Sequence, residues 1–430
     1  MRHLWIRQGL ALITLIAAMA AVGPRPTTAG TITMSVSGDT TLRHPASMQT
    51  LPDEHTTVIQ LPDGTYRVFA ASNTQLSGSG RTGALVLRTT DLYRFKPARG
   101  FGNPATLGLV LSAPSAFGDC TFTPPSLFDQ NYAAPGSVVR DPTLPEGNLI
   151  MLYEAEQHCD GTQFNHNFYA STGFARSSDG GKTWPPPGPT SAARYAVLQV
   201  EGPQPTAPGS PNAGDALPSG FVDTVPQSCP PGTTPCPPLY NLYVTYTNTG
   251  NPAANPPLLP DGYLRVARAQ LGQPDPLVFT KWLDDGWNGQ GLGGEDSPVT
   301  SSKGCGAAAA QLMAQISYND DLQLYLLTFV CANVTNGVVT QGAWYFATAS
   351  TLEQMSWTTP QLIANSQFPA PQNVCSHGAS FDGWYPSFVS PGHAEGHTGL
   401  TGTVFFLSGC DGSLEGRHFR SRTFTISIGP

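Results

Sequence analysis

Three carboxylic acids sit where β-rich sequence gives way to irregular chain. Asp53 lies in Pro52-Asp53-Glu54-His55, Asp141 in Val139-Arg140-Asp141-Pro142, and Glu201 in Val200-Glu201-Gly202-Pro203. Acids placed this way can work as a pair, because cleaving a glycosidic bond takes one protonated and one ionised carboxyl group. The competing structural roles are a turn cap before Pro142 for Asp141 and a solvated loop position for Glu201. His55, His158 and His377 (in Cys375-Ser376-His377-Gly378) could line the mouth of such a site. Trp287 and the Trp384-Tyr385 pair offer rings that stack on sugars, and Arg43 and Arg140 offer a grip on an anion. Asp284-Asp285-Gly286 and Glu295-Asp296 are acidic enough to suit calcium but lack the alternating ligand spacing of an EF-hand. No cofactor or metal is therefore assigned, with calcium the one candidate. Nothing matches a Ser-His-Asp elbow, a P-loop or a dinucleotide fingerprint.

The elements that must hold these residues are strands. Helical periodicity is nearly absent, and short β-rich runs recur between Gly or Asp-Gly turns. Thr56 to Leu61 turns at Asp63-Gly64 into Tyr66 to Phe69, followed by Ala84 to Arg88 and Phe95. Comparable units follow, and the aromatics closing their third strands are Phe95, Trp184, Trp282 and Trp357. Self-similarity on this scale, with four strands per unit, marks a β-propeller. The expectation is all-β, a five-bladed propeller over 31–430, with Thr31 to Val36 pairing with the C-terminal strand to close the ring. Six blades is the alternative, with an irregular blade inside 96–135 or 185–240. The long connections, among them 96–136, 185–220 and 358–384, fall on one face, and long loops on a rigid scaffold are where sites are built. All three acids are expected there.

The octet Ser177-Ser178-Asp179-Gly180-Gly181-Lys182-Thr183-Trp184 explains the turn at the opposite face. Asp179 can accept from backbone N–H groups further on, the glycines permit positive φ, and Trp184 supplies a ring to bury. The octet resembles the Asp box (S-x-D-x-G-x-T-W) of sialidases and related propellers, with Ser177, Asp179, Gly181, Thr183 and Trp184 at the consensus positions. Arg140-Asp141-Pro142 and Glu201-Gly202-Pro203 resemble the DP and EGP elements of five-bladed arabinanases and β-xylosidases. That resemblance implies Asp53 as general base, Asp141 as the residue that orients and tunes, and Glu201 as general acid, although the DP dipeptide expected near Asp53 is missing. Leu42-Arg43-His44-Pro45 looks like a degraded F/Y-R-I-P element of sialidases, which implies Arg43 as one carboxylate-gripping arginine.

Bulk properties bound the rest. Arg2, His3 and Arg7 precede an apolar run from Leu10 to Val22, and small residues follow, so residues 1–30 read as a signal peptide. The eight cysteines all lie beyond it, an even count that favours disulfides in an exported chain. Cys229 and Cys236 are expected to close one Pro-rich loop, and the other pairings stay open. A formal net charge of −8 without basic stripes argues against a nucleic-acid partner, and no basic amphipathic helix suggests a membrane surface. The expected molecule is secreted or periplasmic, monomeric and glycan-active, a glycoside hydrolase in the first reading. The alternatives are a propeller that only binds a glycan or protein, and an exo-sialidase.

Overall fold

The computed structural model describes residues 30–44, 54–73, 81–102, 108–116, 118–121, 127–160, 163–186, 193–200, 212–225, 238–251, 261–306, 309–335, 338–368, 380–410 and 418–429. These form a β-propeller built from five successive antiparallel meanders. The first runs Thr57–Gln60, Tyr66–Asn73, Thr82–Thr89 and Lys96–Pro97, with Leu109–Ser112 on the same third strand. The second runs Tyr132–Arg140, Leu149–Asp160, Gln163–Ser177 and Arg194–Leu198. The third comprises Ala213–Val225, Leu239–Asn248, Leu264–Gln270 and Thr280–Leu283, extended by Gly286–Gln290. Ala309–Asn319, Leu324–Thr335, Val338–Ala349 and Gln361–Leu362 make the fourth. The fifth takes three strands from the C-terminal region, Ser380–Val389, Thr401–Cys410 and His418–Ile428, and its outer strand, Ile32–Thr41, from the start of the chain. Met34 faces Ile426 and Val36 faces Phe424 in that closure, as the sequence predicts. Among the described residues of 96–135, the two short outer strands both belong to the first meander, and no extra meander appears.

Alternation along each strand explains why the meanders stack face to face. Successive side chains point to opposite faces of a sheet. Met151 and Tyr153 therefore pack on the first meander with Phe69 and Val86, while Ile150 and Leu152 pack on the third with Leu242 and Val244. The same arrangement joins the third to the fourth through Tyr243, Trp282, Ile316 and Phe329, and the fourth to the fifth through Trp344, Phe388 and Phe406. Phe405 and Phe419 then meet Val68 and Leu87, so the fifth packs back on the first. Each central strand is buried on both faces, and nearly continuous apolar runs follow.

The five innermost strands surround one central channel, a cavity of about 370 Å³. A belt of hydrogen bonds ties them: Thr56 N–H to Ser387 Oγ (2.8 Å), Val138 N–H to Thr57 Oγ1 (2.9 Å), Gly220 N–H to Ser137 Oγ (2.6 Å) and Phe388 N–H to Gln315 Oε1 (2.7 Å). Above this belt four of the inner strands break register, at Pro135/Ser137, Ala216/Ser219, Leu312/Gln315 and Trp384/Ser387. Three of these breaks carry a bulky residue at positive φ: Leu217 (58°), Met313 (54°) and Tyr385 (53°). Such values are genuine outliers for large side chains, and bulges of this kind re-aim side chains beside functional sites.

The Ser177–Trp184 turn closes the third strand of the second meander. Asp179 Oδ1 accepts from the N–H groups of Lys182 and Thr183 (both 3.0 Å), and Ser177 Oγ accepts from Gly181 N–H (2.9 Å). Gly180 and Gly181 take φ of 75° and 84°, and a Cβ on Gly181 would lie 2.7 Å from the Phe69 ring. Trp184 is buried edge-on to Phe69. Asp179→Ala is expected to cost about 1–2 kcal/mol, the range for losing a side-chain cap on backbone N–H groups; urea unfolding measures it, with Lys182→Ala as the neutral control.

Among the described residues, disulfides pair Cys120 with Cys159 and Cys305 with Cys331. Cys229 and Cys236 lie outside the described residues. No helix among the described residues is long and apolar enough to cross a membrane.

Candidate functional site

Strand direction sets which residues share an end of the channel. Inner strands begin at one end and finish at the other, and the Ser177–Trp184 turn lies at the finishing end. Glu54 lies three residues before the first inner strand, Thr57–Gln60, so it belongs to the starting end. Glu154 and Glu156 lie late in the returning strand Leu149–Asp160, opposite Ala134 and Tyr132 at the start of the second inner strand. All three acids are therefore brought to one place, and all are buried.

Glu154, Glu156 and His158 occupy alternate positions and so share one face. His158 Nε2 lies 2.6 Å from Glu156 Oε2. Glu154 accepts from the Leu217 N–H (3.2 Å), which the bulge in the third inner strand presents to it. Its side chain also hydrogen-bonds to Glu54 and Glu156. Burial, and then the charge of Glu156, push its carboxyl up to about 8. Two carboxyl groups can hydrogen-bond only if one carries a proton, so the cluster holds at least one near neutral pH; the bond to Glu156 favours it on Glu154, while the bond to Glu54 pulls the Glu154 carboxyl back down. The Cys120–Cys159 disulfide anchors the strand end that carries them, one residue beyond His158.

His55 follows Glu54 and lines the channel. Its Nδ1 lies 3.2 Å from the Pro386 carbonyl. A carbonyl only accepts, so Nδ1 bears the proton and Nε2 keeps a lone pair. Burial lowers the ring's pKa to about 4, which leaves the imidazole neutral at pH 7. Nε2 and the nearby Thr56 Oγ1 are both buried without a hydrogen-bond partner among the described residues. Tyr385 sits edge-on to the ring at 6.4 Å, with Trp384 6.0 Å beyond. His55, Trp384 and Tyr385 thus gather at the starting end, where the sequence places a binding role.

Other expected site residues lie elsewhere. Asp141 follows the second inner strand, so it is at the finishing end, on the side of the Ser177–Trp184 turn rather than opposite it. There it is buried, ion-paired with Arg176, and caps its own turn by accepting from Thr143 N–H (3.0 Å) and Thr143 hydroxyl (2.6 Å). Arg140 is at the same end, with its N–H donating to Glu395 (2.9 Å) and its guanidinium to the Gln60 carbonyl (3.2 Å). Arg43 lies outside the channel, on the outer edge of the first meander, where its backbone bonds Tyr93 and Phe95 and its guanidinium stands 5.6 Å over the Tyr93 ring. Asp53, Glu201 and His377 fall outside the described residues. The finishing mouth carries its own polar group, His393 and His397, whose Nδ1 atoms each lie 2.7 Å from Asp320. Glu295 and Asp296 bear on the calcium expectation: Asp296 is engaged by Arg265 (2.7 Å) and Tyr246 (2.8 Å), and no group of three or more metal-ligating side chains occurs among the described residues.

Sequence reasoning missed Glu54, Glu154 and Glu156. The available signal was the alternation Glu154-Ala155-Glu156-Gln157-His158, which places three titratable groups on one face of a strand that is otherwise core.

No protein-family model matches the chain, and no curated protein matches it. Solved structures do. One described as a complex of BT0996 with RGII aligns at TM-score 0.50 and 12% identity over 91% of this protein and 92% of that one. A structure described as a glycoside hydrolase aligns at 0.49 and 11% over 91% and 92%. Zg3597, a family 117 glycoside hydrolase from the marine bacterium Zobellia galactanivorans, aligns at 0.47 and 10% over 93% and 91%. At these identities the likeness is one of fold, and it extends over nearly the whole sequence.

Proposed function

We propose that the protein is an exported glycoside hydrolase on a five-bladed, Asp-box-bearing propeller, monomeric, and acting on a glycan at the starting end of its channel. The observation that carries this reading is the buried Glu54–Glu154–Glu156 cluster, in which burial pushes the Glu154 carboxyl up to about 8. Protonation of a leaving oxygen requires a carboxylic acid still protonated at working pH, and burial of this kind is how enzymes raise one. Glu154 is the general acid in this proposal, and its burial and Glu156 favour the protonated form. A hydrogen-bonded pair is too close to flank a glycosidic bond, since the two working carboxyl groups stand about 5–9.5 Å apart. The second working carboxylate is therefore a different residue, and Asp53, next to Glu54, or Glu201 remains the candidate. His55 Nε2 and Thr56 Oγ1 serve as partners for sugar hydroxyls, and Tyr385 and Trp384 as stacking surfaces. The BT0996 structure aligned above is a complex with RGII, which agrees with a glycan ligand for this fold.

The test is a screen of purified protein against arabinans, galactans, xylans, fructans and sialosides, reading released reducing sugar. Turnover of one class, lost in Glu154→Gln, supports the assignment. Binding without turnover across the panel makes the protein a glycan-binding propeller instead. Turnover confined to sialosides would favour the exo-sialidase reading.

A further inference from the structure

A second pocket, remote from the acid cluster, lies on the outer part of the first meander at the finishing end. It measures about 570 Å³ and is formed by the Leu61–Thr65 turn, the Thr89–Phe95 turn and the outer chain through Phe101. Five of the protein's 21 Lys and Arg residues line it: Arg67, Arg88, Arg94, Lys96 and Arg99. Among the described lining residues Asp63 and Asp91 oppose them, and Asp179 also acts on Arg67, in a protein whose formal net charge is −8.

Register makes this concentration unusual. Arg67 is the direct partner of Arg88 across one strand pair, and Arg88 is the direct partner of Lys96 across the next. Directly opposed residues share a face, so three cations form one row over three neighbouring strands. Like charges directly opposite destabilise a sheet, and a sequence with 12% charged residues had many ways to avoid it. Internal neutralisation is partial. Asp63 holds Arg88 at 2.6 Å, and Asp91 is spent on the Tyr93 and Arg94 N–H groups (3.0 and 2.8 Å). Arg67 lies over the Phe101 ring at 4.7 Å and donates to the Gly180 carbonyl, which fixes its fork. Arg94, Lys96 and Arg99 are exposed; Arg94 lies beside Asp91, and Lys96 and Arg99 make no ion pair among the described residues.

We infer that this pocket is a binding site for an acidic polysaccharide, one bearing carboxylate or sulfate groups along its length. A fixed guanidinium fork suits planar, bidentate oxyanions, and the volume fits one or two sugar units. The pocket opens on the opposite side of the propeller from the acid cluster, so it anchors the substrate matrix rather than the bond being cleaved. This rests on the glycan reading above only for the class of ligand.

The test measures binding of dextran, carboxymethyl-dextran and dextran sulfate to the full-length protein by calorimetry, with single-stranded DNA as a fourth probe. Wild type is expected to bind one or both anionic dextrans with salt-sensitive affinity and to ignore dextran; which one it prefers separates carboxylate from sulfate recognition. Arg94→Gln/Lys96→Gln/Arg99→Gln, all surface changes, is expected to weaken that binding at least tenfold and flatten its salt dependence. Its turnover of the glycan found by the screen should be unchanged. Equal binding of dextran, unaltered affinity in the triple variant, or tighter binding of DNA than of either anionic dextran would overturn the inference. Because binding is read without turnover, failure here is separable from failure of the hydrolase reading.

Discussion

Glu154→Gln is expected to reduce kcat on the glycan substrate by about 10²–10⁴-fold, the usual contribution of a positioned general acid. Glutamine keeps the size of the side chain and can still accept from Leu217 N–H, but it has no proton to give a leaving oxygen. KM should move little, because the loss falls on the transition state. The wild-type rate should decline as pH rises through about 8, where Glu154 ionises. Stability carries the same signature with a defined sign. The folded-state pKa stands above the ordinary 4.5, so the folded protein binds the extra proton between those two values. Unfolding free energy therefore falls as pH rises from about 4.5 to 8. Glu154→Gln removes that slope, and is expected to be more stable than wild type near pH 8. Urea unfolding across that range reads the difference directly. Equal slopes in the two proteins would mean that Glu154 holds no proton there.

Lys281→Ala is expected to cost about 3–5 kcal/mol, the scale for removing one partner of a buried ion pair. Lys281 is fully buried, with Nζ 2.8 Å from Asp215, 2.8 Å from the Gln199 carbonyl and 3.1 Å from the Gly294 carbonyl. Burial already raises the Asp215 carboxyl to about 6, against the pull of Lys281. Without the ammonium, Asp215 has to take up a proton to stay buried. The folded state then binds more protons than the unfolded one, and the deficit should shrink as pH falls through the range where Asp215 protonates. Adding Asp215→Asn should recover part of the loss at neutral pH. Denaturant midpoints at pH 5 and pH 8 test both points; a loss below about 1 kcal/mol at pH 8 would show that the pair is not desolvated.

Much of this fold was legible because propeller strands leave local marks. The Asp179-Gly180-Gly181 turn, the closing aromatics Phe95, Trp184, Trp282 and Trp357, and the spare strand at Thr31 to Val36 each declare a position without tertiary information. All four aromatics are buried in the structure, and the spare strand pairs as expected. The site was harder. Asp141 drew notice through its dipeptide with Pro142, but an inner strand running from the long-loop face finishes at the other one. A residue just after that strand belongs with the Ser177–Trp184 turn. Glu154 and Glu156 were hidden for the opposite reason: they lie inside a strand whose other residues are core, and nothing local reveals that a bulge at Leu217 turns an N–H toward them. Glu54 stood one residue from Asp53, and nothing in the dipeptide tells that Glu54 is buried. The cation row of Arg67, Arg88 and Lys96 was invisible in one dimension, since its members come from three strands.

Glycan chemistry at the starting end of the channel is best checked by a crystal structure of Glu154→Gln soaked with the oligosaccharide that the wild type turns over. Sugar density is expected against residue 154 and Glu54, with a hydroxyl on His55 Nε2 and the scissile oxygen within hydrogen-bond reach of the residue-154 amide. Density instead at the finishing mouth, beside His393, His397 and Asp320, with the Glu54–Glu154 cluster untouched, would place the chemistry at the wrong end and refute the assignment.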